Sequence, residues 1–243
     1  MPGHINRLLD DVAFKVGTLR EARNRFADRL APEFSLFDYL RNDEMGLSQC
    51  FASLLDPKGK HGQGRAFLDV FLENISSVAT WAKNAKGGKV FMEKQTNEQR
   101  RIDIFLELEN GIIGIENKPW AMDQGRQLTD YADYMEKVAG KKYWLLLFLS
   151  NREPSEGSIV SSYKAKLKEN GQFIRRDYSE IVEWLNICAY QSKAMVVRTF
   201  IEELVKFIRM NINGEMDMSE QKEIQQTLLS SAKNIESAFN IIQ

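Results

Sequence analysis

The stretch from Arg101 to Lys118 limits the fold more than any other part of this 243-residue chain. From Arg101 to Glu109, one parity holds Ile102, Ile104, Leu106 and Leu108, and the other holds Arg101, Asp103, Phe105, Glu107 and Glu109. Alternation with period two, broken only by Phe105, is the pattern of a strand with one buried face. Asn110-Gly111 is a tight-hairpin dipeptide. The return segment, Ile112 to Lys118, puts Ile113 and Ile115 on one face and Gly114, Glu116 and Lys118 on the other. Pro119 closes it, because proline has no N–H to give a ladder. The prediction is an antiparallel hairpin whose apolar face other elements must cover.

Those elements are legible on both sides. Tyr143 to Leu149 is a continuous apolar run, the mark of a strand buried on both faces. Between it and the hairpin, Leu128, Tyr131, Met135 and Val138 are spaced for a helix over about 124–138. Upstream, the Gly87-Gly88 break precedes Val90-Phe91-Met92, which opens a further strand. Met45, Leu47, Phe51, Leu54 and Leu55 predict a helix from about 43 to 55, stopped by Asp56-Pro57-Lys58-Gly59. Phe67, Leu68, Phe71, Leu72 and Ile75 mark another. The order helix, three strands, helix, strand therefore runs from Arg65 to Ser150, and Asn151 to Ser158 reads as a loop. Helical periodicity also covers 6–29, ended by Pro32, and the segments around 178–189, 194–212 and 219–242. The class is α/β, with a mixed central sheet of about four or five strands flanked by helices.

No Pro/Gly/Ser-rich linker divides the chain, so one domain over 1–243 is expected, with its core at about 43–150 and helical extensions at 1–42 and 177–243. Lys and Arg number 33 against 34 for Asp and Glu, a net charge of −1. Global charge therefore announces no nucleic-acid partner, and phosphate would have to be met by a local patch or a metal. Cys50 and Cys188 are too few and too far apart for a disulfide or zinc framework. There is no apolar run of about 18 residues and no hydrophobic signal core, so no membrane partner and a cytoplasmic location are expected. No phosphate-binding Gly-x-x-x-x-Gly-Lys-Ser/Thr loop is present, which removes a nucleotide-driven motor. Neither histidine sits in a nucleophile motif, so a serine or cysteine hydrolase has no support.

The hairpin carries the candidate chemistry. Glu116 and Lys118 leave the same face of their strand. With the turn centred on Asn110-Gly111, residues whose numbers sum to about 221 face each other, so Asp103 is expected near Lys118, with Arg101 further toward the same end. Two carboxylates and a lysine thus converge at the sheet end away from the turn. Neighbouring carboxylates repel unless a cation separates them, and hard oxygen ligands suit Mg²⁺ or Mn²⁺. The same alternation of charges also occurs on any strand with a wet face, which is how Glu107 and Glu109 read.

Asp103, twelve intervening residues, then Glu116-Asn117-Lys118 resembles the signature of the PD-(D/E)XK nuclease superfamily. Ile102 stands where proline is common in that signature. The order of elements is similar to that superfamily's restriction-endonuclease-like αβββαβ core. Gln127 and Tyr131 resemble the Gln-x-x-x-Tyr motif of its RecB-like and phage-exonuclease branch. Glu44, with Leu54-Leu55-Asp56-Pro57 and His61-Gly62-Gln63-Gly64, resembles a bacterial and prophage family within it. The resemblance implies a metal site of Asp103, Glu116 and Glu44, with the Asn117 carbonyl as a further ligand, holding Mg²⁺ or Mn²⁺. It implies that Lys118 positions a water, that Gln127 orients Lys118 or a phosphate, and that Tyr131 buttresses Gln127. Arg100 and Arg101, with Lys94, are candidates for a phosphate clamp, and His61 for a phosphate contact. The resulting expectation is phosphodiester hydrolysis with DNA as the favoured polymer. A catalytically silent nucleic-acid-binding or assembly module and an RNA-directed defence or toxin nuclease are the rivals. A homo-oligomer is left open.

Overall fold

The computed structural model describes residues 2–31, 34–96, 99–215 and 218–236. In chain order the first elements are α1 (Pro2–Arg25), α2 (Ala27–Leu30), α3 (Glu44–Leu55), α4 (Ala66–Ile75), β1 (Lys89–Gln95), β2 (Arg101–Glu107) and β3 (Gly111–Asn117). There follow α5 (Gln127–Ala139), β4 (Tyr143–Leu149), α6 (Ser161–Glu169), β5 (Phe173–Arg176), α7 (Tyr178–Gln191), α8 (Met195–Asn211) and α9 (Met218–Leu229). The chain separates into two compact units, Leu36–Asn213 and a second built from Met1–Ser35 with Gly214–Gln243.

In the second unit the helix expected over 6–29 is α1, interrupted at Phe26 before the single turn of α2. Lys15 of α1 reaches α9, with Nζ 3.4 Å from the Glu223 carboxylate and donating to Thr227 Oγ1 at 3.1 Å. The helix expected over 219–242 is α9 as far as Leu229, and 237–242 lie outside the described residues. Among the described residues, no helix is long and apolar enough to cross a membrane.

The larger unit is built on a five-stranded mixed sheet in the order β1-β2-β3-β4-β5. Pairs β1–β2 and β2–β3 are antiparallel, whereas β3–β4 and β4–β5 are parallel. The α/β class and the αβββαβ order expected from the sequence are those observed. Alternate residues of β4 serve opposite faces, which is why it is apolar throughout. Leu145, Leu147 and Leu149 join Ile104, Leu106, Ile113 and Ile115 in a core with residues of α3, α4, α7 and α8. Trp144, Leu146 and Phe148 join Phe105 and Ile112 against Leu128, Tyr131 and Met135 of α5. The sequence reading did not anticipate β5 and α6. Phe173 and Ile174 are a short apolar pair followed by two arginines, too little for a periodicity to register.

The structure corrects the hairpin in two respects. Ile104 pairs with Ile115 and Leu106 with Ile113, a register two residues away from the expected one. Leu108 N–H donates to Gly111 O at 2.9 Å, so Glu109 and Asn110 are the central turn residues. Neither they nor Gly111 has a positive φ. The turn is instead held from outside: Glu109 N–H donates to Lys86 O at 3.0 Å, and the Asn110 amide donates to Trp81 O at 3.1 Å. Gly111 is needed for a different reason, since a Cβ there would lie 2.4 Å from Cζ3 of the Trp81 ring.

The second correction concerns the alternation of β2. Ile102 packs with Phe105, not with Ile104 and Leu106. On β1, Lys94 Nζ sits 4.9 Å from the Phe91 ring and 5.5 Å from the Phe105 ring, although residues 91 and 94 of a regular strand face opposite ways. Between them Glu93 has φ 48°, a left-handed conformation unusual outside glycine. Both strands change face around Glu93 and Asp103, and this reversal turns Asp103 toward α3.

Candidate active site

Continuing the Ile104–Ile115 register by one residue sets Asp103 opposite Glu116. The paired ladder stops there, and Asp103 Oδ2 accepts the Asn117 N–H at 2.7 Å. The third carboxylate arrives from α3. Asp43 caps that helix by accepting the Gly46 N–H at 2.8 Å, which fixes Glu44 in its first turn. Gly46 allows the close approach, because a Cβ would lie 2.0 Å from Arg41 O. Single oxygens of Glu44, Asp103 and Glu116 all lie within 4.8 Å of one another. Asp43, Glu44, Ser48, Met92, Glu93 and Asp103 line a cavity of about 290 Å³ that opens beside them.

Lys118 supplies the one ammonium in this cluster. Its Nζ is 2.5 Å from Glu44 Oε1 and 2.8 Å from Glu116 Oε1, and the residue is only 7% exposed. Gln127, expected to orient Lys118 or a phosphate, faces Glu116. Its Oε1 accepts the Gln124 N–H at 3.0 Å, which leaves Nε2 to donate to Glu116 Oε1 at 2.7 Å. Nε2 also lies 3.2 Å from the Tyr131 hydroxyl, which donates to Arg101 O at 2.5 Å. Glu116 Oε1 is thus held from two sides, while Oε2, on a residue 1% exposed, has no donor among the described residues.

Asn117 ties the strand to its neighbours. Its amide donates to Ser48 Oγ at 2.9 Å and to Glu44 O at 3.2 Å, and Tyr178 donates its hydroxyl to Asn117 Oδ1. Ser48 and Tyr178 therefore hold α3 and α7 to the end of β3, and neither was singled out in the sequence. Ser48 was within reach, standing one turn after Glu44 on the same helix face. Tyr178 is distant in sequence and carries no motif.

The electrostatics follow from burial. Desolvation, with the nearby Asp103 charge, pushes Glu116 up from 4.5 to about 8. Desolvation likewise raises Asp103 from 3.8 to about 6, against the Asn117 N–H and the Lys118 charge. Burial alone would lower Lys118, but the Glu116 and Glu44 carboxylates outweigh it and hold the ammonium above its ordinary value. Three carboxylates share one lysine, and burial makes Asp103 and Glu116 hold a proton more tightly than they would in water. The donor set fits a divalent cation: three convergent carboxylates, one with a buried oxygen that no donor among the described residues meets.

The residues expected on nucleic acid are placed differently from one another. His61 Nδ1 accepts the Gln63 N–H at 3.0 Å, so Nε2 carries the proton and donates to Asp56 O at 2.9 Å. The ring is buried against Phe67, and both nitrogens serve its own loop. Arg100 donates to Asp130 at 2.8 Å, to Gln124 at 3.1 Å and to Gly125 O at 2.7 Å, binding β2's entry to the start of α5. Arg101 is the exposed member, with its guanidinium 2.9 Å from Glu93.

Acidic groups and a lysine thus gather at one end of a mixed sheet. A profile of the PD-(D/E)XK nuclease superfamily matches residues 34–209, and the chain belongs to that superfamily. No curated protein and no solved structure matches it.

Proposed function

We propose that the Leu36–Asn213 unit is a nuclease that hydrolyses phosphodiester bonds with Mg²⁺ or Mn²⁺, DNA being the favoured polymer. The observation that carries this reading is the convergence of Glu44, Asp103 and Glu116 around an unpartnered Glu116 oxygen, with Lys118 among them. Asp103, Glu116 and Glu44 would hold the cation, with the Asn117 backbone carbonyl as a further ligand. A divalent cation bound there supplies a Lewis acid for the phosphoryl oxygen and acidifies coordinated water.

The chain's own groups do the positioning. Lys118, fixed between Glu44 and Glu116, presents an ammonium to orient the attacking water and to balance charge building on phosphorus. Gln127 holds Glu116 Oε1 and so fixes the carboxylate that would serve as a ligand. Tyr131 keeps Gln127 in place and locks it to the backbone of β2. Asn117, Ser48 and Tyr178 set the distance between α3 and β3, on which the placement of Glu44 depends. The exposed Arg101 meets the substrate backbone.

The test is cleavage of linear, circular and single-stranded DNA and of RNA, with Mg²⁺, Mn²⁺ or EDTA, for the wild type, Asp103→Ala and Lys118→Ala. Metal-dependent loss of DNA that both substitutions abolish is the expected result. Cleavage surviving in either variant refutes the assigned site. No cleavage of any polymer, with no calorimetric binding of either cation, leaves the silent binding module. Loss of RNA alone reassigns the substrate.

A further inference from the structure

β3 and β4 run parallel and end together at the pair Asn117–Leu149, so the segments after each leave the sheet at the same place. Ligands of α/β sheets gather outside the carboxyl ends of such strands. The first segment begins at Lys118, whose N–H donates to Leu149 O at 2.8 Å, and carries Trp120 two residues on. The Cα atoms of Lys118 and Trp120 are therefore no more than about 7.6 Å apart. Asp123 Oδ2 binds the second segment by accepting the Ser155 N–H at 2.9 Å and its hydroxyl at 3.0 Å.

Trp120 is held yet open. Its indole N–H donates to Asn211 O at 3.2 Å, and its ring meets Phe207 edge to face at 87°. The residue nonetheless remains 42% exposed, and Met122, two residues on, is 65% exposed. Arg152, on the neighbouring segment, rests one guanidinium nitrogen 3.4 Å from the Met122 sulfur. Among the described residues, no carboxylate is within salt-bridge distance of it. A pinned, half-exposed indole loses little freedom when a flat ring settles on it. An exposed cation against Met122, two residues on from the indole, suits the phosphate next to a stacked base.

We infer that Trp120 stacks on an unpaired nucleobase next to the scissile phosphate while Arg152 neutralises the adjoining phosphate. This rests on the nuclease reading of the site and narrows it to single-stranded or frayed polynucleotide. A base inside an intact duplex presents no free face to the indole. Trp120 is then a positioning residue that sets which phosphate meets the carboxylates.

Intrinsic fluorescence reads the contact without chemistry. Trp144 and Trp184 are buried, and Trp81 is stacked on Tyr143, so a base landing on Trp120 quenches the exposed component. The wild type, Trp120→Phe and Trp120→Ala are titrated with dT and rU dodecamers, with a dT dodecamer containing one abasic residue, and with a blunt duplex, all in Ca²⁺. Quenching by the single strands is expected in the wild type and its loss in Trp120→Phe, which retains an aromatic edge for Phe207. Trp120→Ala should weaken the intact single strand by roughly five- to a hundredfold. The abasic residue should weaken wild-type binding comparably and add little to Trp120→Ala, and this non-additivity marks a direct pairing of ring and base. Whichever of dT and rU shows the coupling names the polymer. Equal losses on intact and abasic strands, duplex binding as tight as single-strand binding, or no binding of either polymer would overturn the inference. Coupling observed in a protein that cleaves nothing with Mg²⁺ or Mn²⁺ would sink the nuclease reading and leave the stacking intact.

Discussion

Replacing Glu116 with glutamine should make the metal-free protein more stable while removing its use for a cation. Burial and Asp103 raise the Glu116 carboxyl from 4.5 to about 8. An acid whose pKa is higher in the folded chain holds its proton more tightly there than in the unfolded chain. Stability is therefore fully present below about 4.5 and is lost progressively as pH rises toward 8. Each pH unit within that window costs about 1.4 kcal/mol. At pH 7.5 the ionising carboxylate thus subtracts at most about 4 kcal/mol. Asp103 adds to the effect with the same sign, between 3.8 and about 6.

Glu116→Gln removes the titration and keeps the shape. The new amide oxygen still accepts from Lys118 and Gln127, the partners that Glu116 Oε1 has now. For a protein of this size a gain of 1 kcal/mol raises Tm by about 2–4 °C. In EDTA at pH 7.5 the variant should melt several degrees above the wild type, with the difference shrinking toward zero near pH 5. Mn²⁺ should then raise the wild-type Tm and leave the variant nearly unmoved. Thermal melts at both pH values, with and without cation, measure all of this. A variant no more stable than the wild type in EDTA at pH 7.5 would mean that the buried carboxylate carries no penalty.

Lys118→Ala should act oppositely, destabilising the metal-free protein by about 3 kcal/mol because two carboxylates lose their ammonium. Mn²⁺ should restore part of that in a melt, while hydrolysis stays absent. Tyr178→Phe leaves the buried Asn117 Oδ1 without its donor and should cost about 1–3 kcal/mol by urea denaturation; a loss under about 0.5 kcal/mol would remove Tyr178 from the site's support. Gly111→Ala drives a methyl into the Trp81 ring, 2.4 Å away, and should cost about 1–3 kcal/mol. Trp81→Leu in the same chain should relieve most of that, and full additivity of the two would show that the ring is not what requires the glycine.

The parts of this fold legible in the sequence are those set by repeated apolar positions. The apolar run Tyr143 to Leu149 reads as a strand covered on both faces, and Trp144 to Leu149 is buried on both. Ile113 and Ile115 share a face as their spacing requires. What failed was local and had tertiary causes. Asn110-Gly111 has the composition of a primed turn, yet the glycine answers to Trp81, from a segment 30 residues earlier whose approach no local pattern reveals. The face reversal at Glu93 and Asp103 is equally hidden, since glutamate has no preference that would announce a φ of 48°. His61 and Arg100 looked available because both are polar and near a motif, but their donors are used in holding loops to helices.

The two-residue change of register alters what each group can do. In the expected register Asp103 would face Lys118, and that ammonium would neutralise it directly. In the observed one Asp103 stands opposite Glu116, like charge against like, and Lys118 turns to Glu44 and Glu116. Three carboxylates against one ammonium leave about two negative charges at a buried sheet end, a state that folding does not favour. Protons can fill the deficit, and the raised Glu116 and Asp103 carboxyls show where they go. A divalent cation held by the three carboxylates would fill it with charge to match and would also give the buried Glu116 Oε2 a partner. The same imbalance that weakens the metal-free fold is thus what the site offers to a cation, and the near-neutral charge of the whole chain conceals it.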